Sequence, residues 1–389
     1  MTHDTGERDY DVIVVGAGSV GLPTAVALGE SGLKTLVIDR LPAAGQGEHS
    51  HAIGGVRAFH AHPAKIVACR RAIETLSTWK ERHGDDLEWA AGGYTFPVYR
   101  EEDRDLVRGA LEMQRNHGLE VVWLGPGGIT EVVPGIRTEG LLGGAHSPED
   151  GVASPPLVAE AFHRRAVELG VEFHFNESVT RLRLVGDRVE GVETGRDSYR
   201  ASVVIDAAGP HSHALAVTAG LYLDVVPASH EAGVTEPVQP FFQTMLVDLR
   251  PGEAGRSFFF YQDPLGRLVF CTNPDPPVEG RRRRETGVFL PHVLDRMKDL
   301  IPRLVTLNVQ QVWWGLFPMT PDGAPLVGWA EEVEGLVLAT GMCGQGFMLG
   351  PGIAETVARL ITDRLEEEDR VILEGFDPAR SFTGSEDLA

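Results

Sequence analysis

The sequence predicts an α/β fold in which a parallel-sheet domain is interrupted twice by insertions that form one second, antiparallel β-rich domain. Three observations carry this. The chain opens on a strand, glycine turn, helix and strand, Asp11-Val-Ile-Val-Val-Gly-Ala-Gly-Ser-Val-Gly21 closing on Val37-Ile-Asp39. A similar strand and glycine-rich turn recurs at 335–360. Between them, 92–99, 241–249, 257–261 and 268–272 are rich in aromatic and β-branched residues, with Gly266 as a hairpin turn.

The first element, 12–15, is continuously apolar and β-branched, as a buried parallel strand requires. Gly16 permits a tight turn, Gly18 lets a diphosphate approach the backbone, and Gly21 lets the helix pack on the strand. The helix expected from Ser19 to about Glu30 presents the N–H groups around Ser19 and Val20, and its positive dipole end, to that anion. Asp39, followed by Arg40, ends the second strand, where an acid accepts hydrogen bonds from an adenosine ribose. An acid there disfavours a 2′-phosphate. The pattern therefore points to FAD or NAD.

Four later segments return to the nucleotide. Gly45-Gln-Gly-Glu-His49-Ser50-His51-Ala-Ile-Gly54-Gly55-Val-Arg57 is a glycine-rich loop suited to lie over a pyrophosphate or an isoalloxazine ring. Asp150-Gly151 leads to a helix over 157–170 with Leu157, Val158, Phe162, Ala166 and Leu169 on one face; strands follow at 171–175 and 178–184, the latter carrying Val179. A buried strand over 201–210 ends in Ala208 and Gly209, small enough for backbone to approach a cofactor. Last comes Gly341-Met342-Cys343-Gly344-Gln345-Gly346-Phe347-Met348 and a helix expected from about Gly352, whose N–H groups suit negative charge on a reduced flavin.

Composition narrows the class. With 389 residues, 42% hydrophobic and 23% charged, the chain reads as an ordinary globular protein with room for two cores. A formal charge of −21 argues against a nucleic-acid partner. The four arginines 281–284 read as a solvated loop. No run approaches the roughly 20 apolar residues of a membrane span. The three cysteines, Cys69, Cys271 and Cys343, lack metal-ligand spacing and fit a reducing, cytoplasmic setting.

Taken in order, these segments resemble the D-amino-acid oxidase superfamily, most of all its sarcosine oxidase, dimethylglycine oxidase and dye-linked proline dehydrogenase β-subunit branch. The resemblance rests on the fingerprint, Ser50-His-Ala-Ile-Gly-Gly-Val-Arg57, Val203-Val-Ile-Asp-Ala-Ala-Gly209, Trp314-Gly-Leu-Phe-Pro-Met-Thr-Pro-Asp-Gly-Ala-Pro325 and the late glycine loop. It implies a Rossmann-like FAD-binding domain with a discontinuous substrate domain. It also implies oxidation of a C–N bond beside a carboxylate, by hydride transfer to flavin N5, giving an imine that hydrolyses. By the same resemblance Arg57 stands beside the flavin. Gly315 falls where relatives attach it through cysteine, so that link is impossible here. His51 falls near a histidine that some members bond to it. Non-covalent FAD is the favoured expectation. His60 and Met348 replace two cations that clamp sarcosine's carboxylate, which points to a bulkier secondary or N-alkylated amino acid, with Arg57, His60, Tyr261 or Arg267 as its donors.

The expected division is 8–88, 146–220 and 320–366 for FAD, 89–145 and 221–319 for substrate, and a polar, partly disordered tail over 367–389. The active site is expected where the two domains meet. The expected partners are a small amino acid or amine and either a second copy or the other chains of a dehydrogenase complex. An NAD-dependent dehydrogenase is the remaining alternative.

Overall fold

The computed structural model describes residues 8–252, 255, 257–274, 278–280, 287 and 289–384; the arginines 281–284 lie outside them. These residues form two compact units, one of 8–50, 155–226 and 317–384, the other of 51–154 and 227–316.

The first unit is built on a sheet whose strands run in the order Leu326–Trp329, Leu336–Thr340, Ser198–Asp206, Arg8–Val15, Thr35–Ile38, Glu172–His174. The inner pairings are all parallel, and Leu326–Trp329 closes one edge antiparallel. A hairpin of Val179–Val185 and Arg188–Thr194 adds to Ser198–Asp206. The apolar run Val12, Ile13 and Val14 is at most 1% exposed, as central parallel strands require. Helix Gly21–Glu30 follows the first strand two residues later than the sequence suggested.

The last helix departs further from expectation. Gly350-Pro351-Gly352 reads as a break, yet the helix runs Gly346–Ile361 with Pro351 inside it. A proline there removes one ladder hydrogen bond, at about 3 kcal/mol. Burial of Phe347, Leu349, Ile353, Ala354 and Val357 offsets that loss. Glycine at 350 is required by contact: a Cβ there would lie 2.0 Å from the Ser19 carbonyl oxygen in the turn before the first helix. The polar tail also folds. Helix Glu367–Gly375 carries a reciprocal capping box between Glu366 and Asp369, and buries Ile372 and, just beyond it, Phe376. The described part of the tail, 367–384, is held by these two apolar anchors despite its charged composition.

The second unit holds a nine-stranded sheet. The four strands read from the sequence form as Tyr94–Val98, Met245–Asp248, Ser257–Gln262 and Leu268–Asn273. The last three pair antiparallel as expected. Tyr94–Val98 instead lies parallel to Met245–Asp248. No hairpin joins these two distant segments, so no turn dictates their direction. Residues 51–88, expected with the nucleotide domain, group here because Gly55–Val56 pairs with Gly151–Val152 and Tyr261 Oη donates to Ile53 O. Helices Pro63–His83, Glu101–Asn116 and Phe289–Leu300 complete the unit.

The sharpest steric demand falls at Gly21, where a Cβ would sit 1.8 Å from the Gly16 carbonyl oxygen. Gly21→Ala is therefore expected to destabilise the fold by roughly 1–3 kcal/mol or more, the range for overpacking. Urea unfolding measures it; an unchanged midpoint would refute the contact.

Candidate active site

In the first unit the carboxyl ends of three adjacent parallel strands converge. Gly16 leaves the first strand at φ 109°, and its missing Cβ makes room for the Ala207 carbonyl, which a side chain would approach to 2.5 Å. The turn is held by Gly16 N–H donating to Ile38 O at 2.9 Å and by Ala17 N–H donating to Asp39 Oδ2 at 2.7 Å. Asp39 thus braces the turn as well as standing where a ribose is expected, and its other oxygen accepts from Leu41 N–H. Arg40 is exposed. Gly18 differs from its neighbours: a Cβ there meets nothing within 4 Å. The N–H groups of Gly18, Ser19 and Val20 donate to nothing among the described residues. This is an open, anion-ready helix N-terminus.

The end of Ser198–Asp206 lies against this turn. Asp206 Oδ1 accepts from Ala208 N–H and Ser212 Oγ–H, shaping the bend at Gly209, and burial pushes the Asp206 pKa up to about 6. Thr340 Oγ1 donates to Gly209 O, so the third strand enters the second glycine loop beside the first turn. In that loop Gly344 packs under Phe317, whose ring a side chain would strike at 2.3 Å. Met342 and Phe347 are buried; Gly344 is exposed and Met348 half-buried. Gln345 is buried, and its Oε1 lacks a partner among the described residues. Gly346 begins the last helix within 3.6 Å, by its would-be Cβ, of Ser19 Cβ. Two helix N-termini therefore stand side by side.

His49 joins them. Its Nε2 lies 2.6 Å from Pro155 O, which only accepts, so Nε2 carries the proton. Nδ1 then accepts from Ser19 Oγ at 2.9 Å. Burial lowers the His49 pKa, which keeps the ring neutral, and Phe347 packs on it at 5.5 Å. Ser50 is exposed and bonds only locally, to Gly47 O. Val179 packs on the hydrophobic core of this unit. Backbone hydrogen bonds tie the neighbouring 174–177 segment to Asp39 and Leu41, next to the glycine turn in the chain but not part of it.

The remaining expected residues lie in the second unit. Gly55 faces Tyr94 Oη, which a Cβ would meet at 2.1 Å. Gly54 O accepts from Ala153 N–H, and His51 O accepts from Trp313 Nε1 at 2.9 Å. Gly315 is buried in strand Val309–Met319. Tyr261 gives its proton to Ile53 O, so it anchors this loop rather than waiting as a free donor; burial raises its pKa. Arg57 is 2% exposed, with Nη1 donating to Phe59 O and its guanidinium 5.8 Å from the Phe96 ring centroid. His60 faces Cys69 at 3.5 Å and is fully buried. His60 and Arg57 are thus both buried side chains of this unit.

In the sequence Asp150 only precedes the helix expected over 157–170. It is 1% exposed, accepts Ala58 N–H at 2.8 Å and fixes the Arg57–Phe59 backbone. Burial, opposed by bonds from Ala58 and Ser147 and by the Arg57 charge, brings its pKa to about 7. Nothing in the local sequence marks that burial.

The cofactor implied by the glycine pattern can be tested against these residues. An open turn with three undonated N–H groups, an acid at the end of the second strand and an orphaned buried acceptor at Gln345 suit a dinucleotide carrying a hydrogen-bonding ring system.

Residues 11–360 match the family described as FAD dependent oxidoreductase (DAO), and the chain belongs to it. It is 26% identical over 368 residues to the glycine oxidase of Geobacillus kaustophilus, spanning 93% of this chain and 94% of that one. It is 25% identical over 364 residues to sarcosine oxidase subunit beta of Rhodobacter capsulatus, spanning 91% and 85%. It is 26% identical to the mitochondrial sarcosine dehydrogenase of Homo sapiens, of which it spans 41%. Its fold is that of the crystal structures of L-proline dehydrogenase from P. horikoshii, at TM-score 0.88, 24% identity and 96% of this chain against 97% of that one, and of G. kaustophilus glycine oxidase, at 0.84, 24%, 97% and 100%. The cofactor is therefore FAD rather than NAD. Among the described residues no helix is long and apolar enough to cross a membrane.

Two predictions follow from the two units. Gly18→Ala is expected to leave the urea midpoint within about 0.5 kcal/mol of wild type, or slightly raise it, and to weaken FAD binding roughly 10-fold, read by flavin fluorescence on titration. A destabilised protein with unaltered FAD affinity would invert the assignment. Asp150 has an unfolded pKa near 3.8 and a folded one near 7, so the fold favours its neutral form. Its contribution is complete below pH 3.8 and is lost as pH rises through 7. The stability of Asp150→Asn relative to wild type should accordingly grow between pH 4 and pH 8; a constant difference would contradict this.

Proposed function

We propose that the protein oxidises the C–N bond of an amino acid, preferring a secondary or N-alkylated one over a primary one. The observation that carries this is that relatives spanning more than nine-tenths of the chain are named for glycine and sarcosine, while a fold neighbour is named for proline. These names share an amine beside a carboxylate, and two of the three amines are secondary.

FAD, when bound, supplies the acceptor for the hydride removed from the carbon bearing nitrogen. The protein's part is to hold and orient. The open turn Gly16–Gly21 and the loop 341–346 bind the cofactor through backbone N–H groups. Asp39 fixes the first of these and orients toward the ribose. Arg57 contributes a buried positive charge, held in place by Phe59 O and by the Asp150-anchored backbone. Tyr261 holds the 51–55 loop. Met348 offers a thioether where a cation would select a smaller, more polar amino acid. His51 is left to position the loop, with FAD held non-covalently.

A second reading concerns assembly. Two relatives are named as β subunits, which supports a flavoprotein chain that passes electrons within a multi-subunit complex. Size exclusion with and without candidate partners addresses it.

Anaerobic mixing with N-methyl, cyclic and primary amino acids, followed by the loss of flavin absorbance, tests the main reading. Cyclic and N-methyl amino acids are expected to bleach the flavin at least 10-fold faster than primary ones, and Arg57→Ala to slow bleaching. Bleaching by hydroxy compounds but by no amine would overturn it.

A further inference from the structure

The family match ends at residue 360, but the folded chain does not. Helix Glu367–Gly375 is pinned to the last long helix by Asp369, which accepts from Thr356 Oγ1 at 2.8 Å and pairs with Arg359. Beyond it, Phe376 O accepts Val327 N–H at 2.8 Å, laying the segment against strand Leu326–Trp329.

Arg380 then reaches back. Its Nε and Nη2 grip the two Asp322 oxygens at 2.8 and 2.9 Å, a bidentate fork with both side chains largely buried, 13% and 8% exposed. Its other N–H donors reach Pro325 O and Ala324 O, each at 2.7 Å, and Asp377 O at 3.0 Å. The guanidinium is saturated, and everything but Asp377 belongs to the 320–325 turn.

That turn is the seat of the second glycine loop. Asp322 Oδ1 accepts from Ala324 N–H, while the Thr320 hydroxyl, 3.2 Å from the same oxygen, donates to the nearer Ala324 O at 2.8 Å. Thr320 N–H points at Cys343 Sγ at 3.4 Å, with Thr320 Oγ1 3.2 Å from the same sulfur. Cys343 N–H donates to Pro318 O, and its thiol to Gly341 O. Gly341 packs so closely on Thr320 that a Cβ would lie 2.7 Å from its Cγ2. Cys343 sits at φ 49°, a conformation its own side chain disfavours and only its surroundings maintain. A continuous chain thus runs from Arg380 through Asp322 and Thr320 to Cys343.

We propose that the C-terminal segment 376–382 is a clamp that holds the 341–346 loop in its cofactor-binding shape, with Arg380 as the positioning residue. The inference rests on the assignment of that loop to FAD made above. It gives the polar tail a role in cofactor retention. It also explains why a guanidinium, which alone among side chains can span both carboxylate oxygens and two carbonyls, stands at 380.

The test uses the full chain, with Arg380→Ala and Arg380→Lys. Maleimide labelling of Cys343 in the FAD-free protein, resolved by peptide mass spectrometry with Cys69 and Cys271 as internal references, reports the loop directly. The FAD dissociation constant and the visible circular dichroism of the bound flavin report its consequence. Arg380→Ala is expected to label at Cys343 about 10-fold faster with the reference cysteines unchanged, to raise the FAD dissociation constant about 10-fold and to alter the dichroism. Lysine, keeping the charge without the fork, should give intermediate values. If Arg380→Ala does not fold, Asp322→Asn breaks the same fork and is read the same way. Unchanged Cys343 labelling overturns the clamp whatever FAD does. Faster labelling with unchanged FAD affinity overturns the loop's assignment to the flavin, and the clamp's purpose with it. A parallel rise at all three cysteines marks general loosening and also overturns the proposal.

Discussion

The close approach of backbone to backbone at the carboxyl ends of the parallel strands constrains everything else in the first unit. Ser19 O lies where a Cβ on residue 350 would go, Gly16 O where one on residue 21 would go, and Ala207 O where one on residue 16 would go. Three segments far apart in sequence therefore meet without side chains between them. What this leaves open is main chain: the N–H groups of Gly18, Ser19 and Val20 at the first helix start, which have no acceptor among the described residues, beside the start of the last helix. Such a surface selects for an extended anionic ligand. The glycine at 18, where an added Cβ would meet nothing within 4 Å, is the member of the set whose size matters to the ligand and not to the fold.

Within each unit the buried ionisable groups serve to hold backbone in place. His49 is held neutral and in one tautomer by Pro155 O and Ser19, so it adds no charge of its own near the anion. Asp206 and Asp150 are each buried, and each is used to fix a backbone bend rather than to meet solvent. Arg57 is one of the buried cations of the second unit, with Lys65 and Arg71. The chemistry belongs to the cofactor, and the protein contributes placement and field.

Much of this was legible in the residues. The glycine spacing, the apolar strand before it and Asp39 after it specify a local structure almost completely, because turn, strand and helix each demand particular residue types at fixed offsets. The late loop could be read by the same logic, though Gly350-Pro351-Gly352 concealed the start of its helix, since local propensity gives no measure of the packing that overrides it. The parallel pairing of Tyr94–Val98 with Met245–Asp248 was hidden because no turn joins them. The burial of His60 was not legible; a lone histidine carries no sign of it. Asp150 and Arg380 were missed for the same reason, as their roles depend on partners brought close only by the fold.

The central claim, that the two glycine loops form one cofactor surface, is tested most directly by hydrogen–deuterium exchange on the FAD-free chain and after addition of FAD. The account predicts slowed exchange in peptides covering both 16–22 and 341–349, together and in proportion to FAD bound. Protection confined to one of them, or none at either while FAD binds elsewhere, would contradict it.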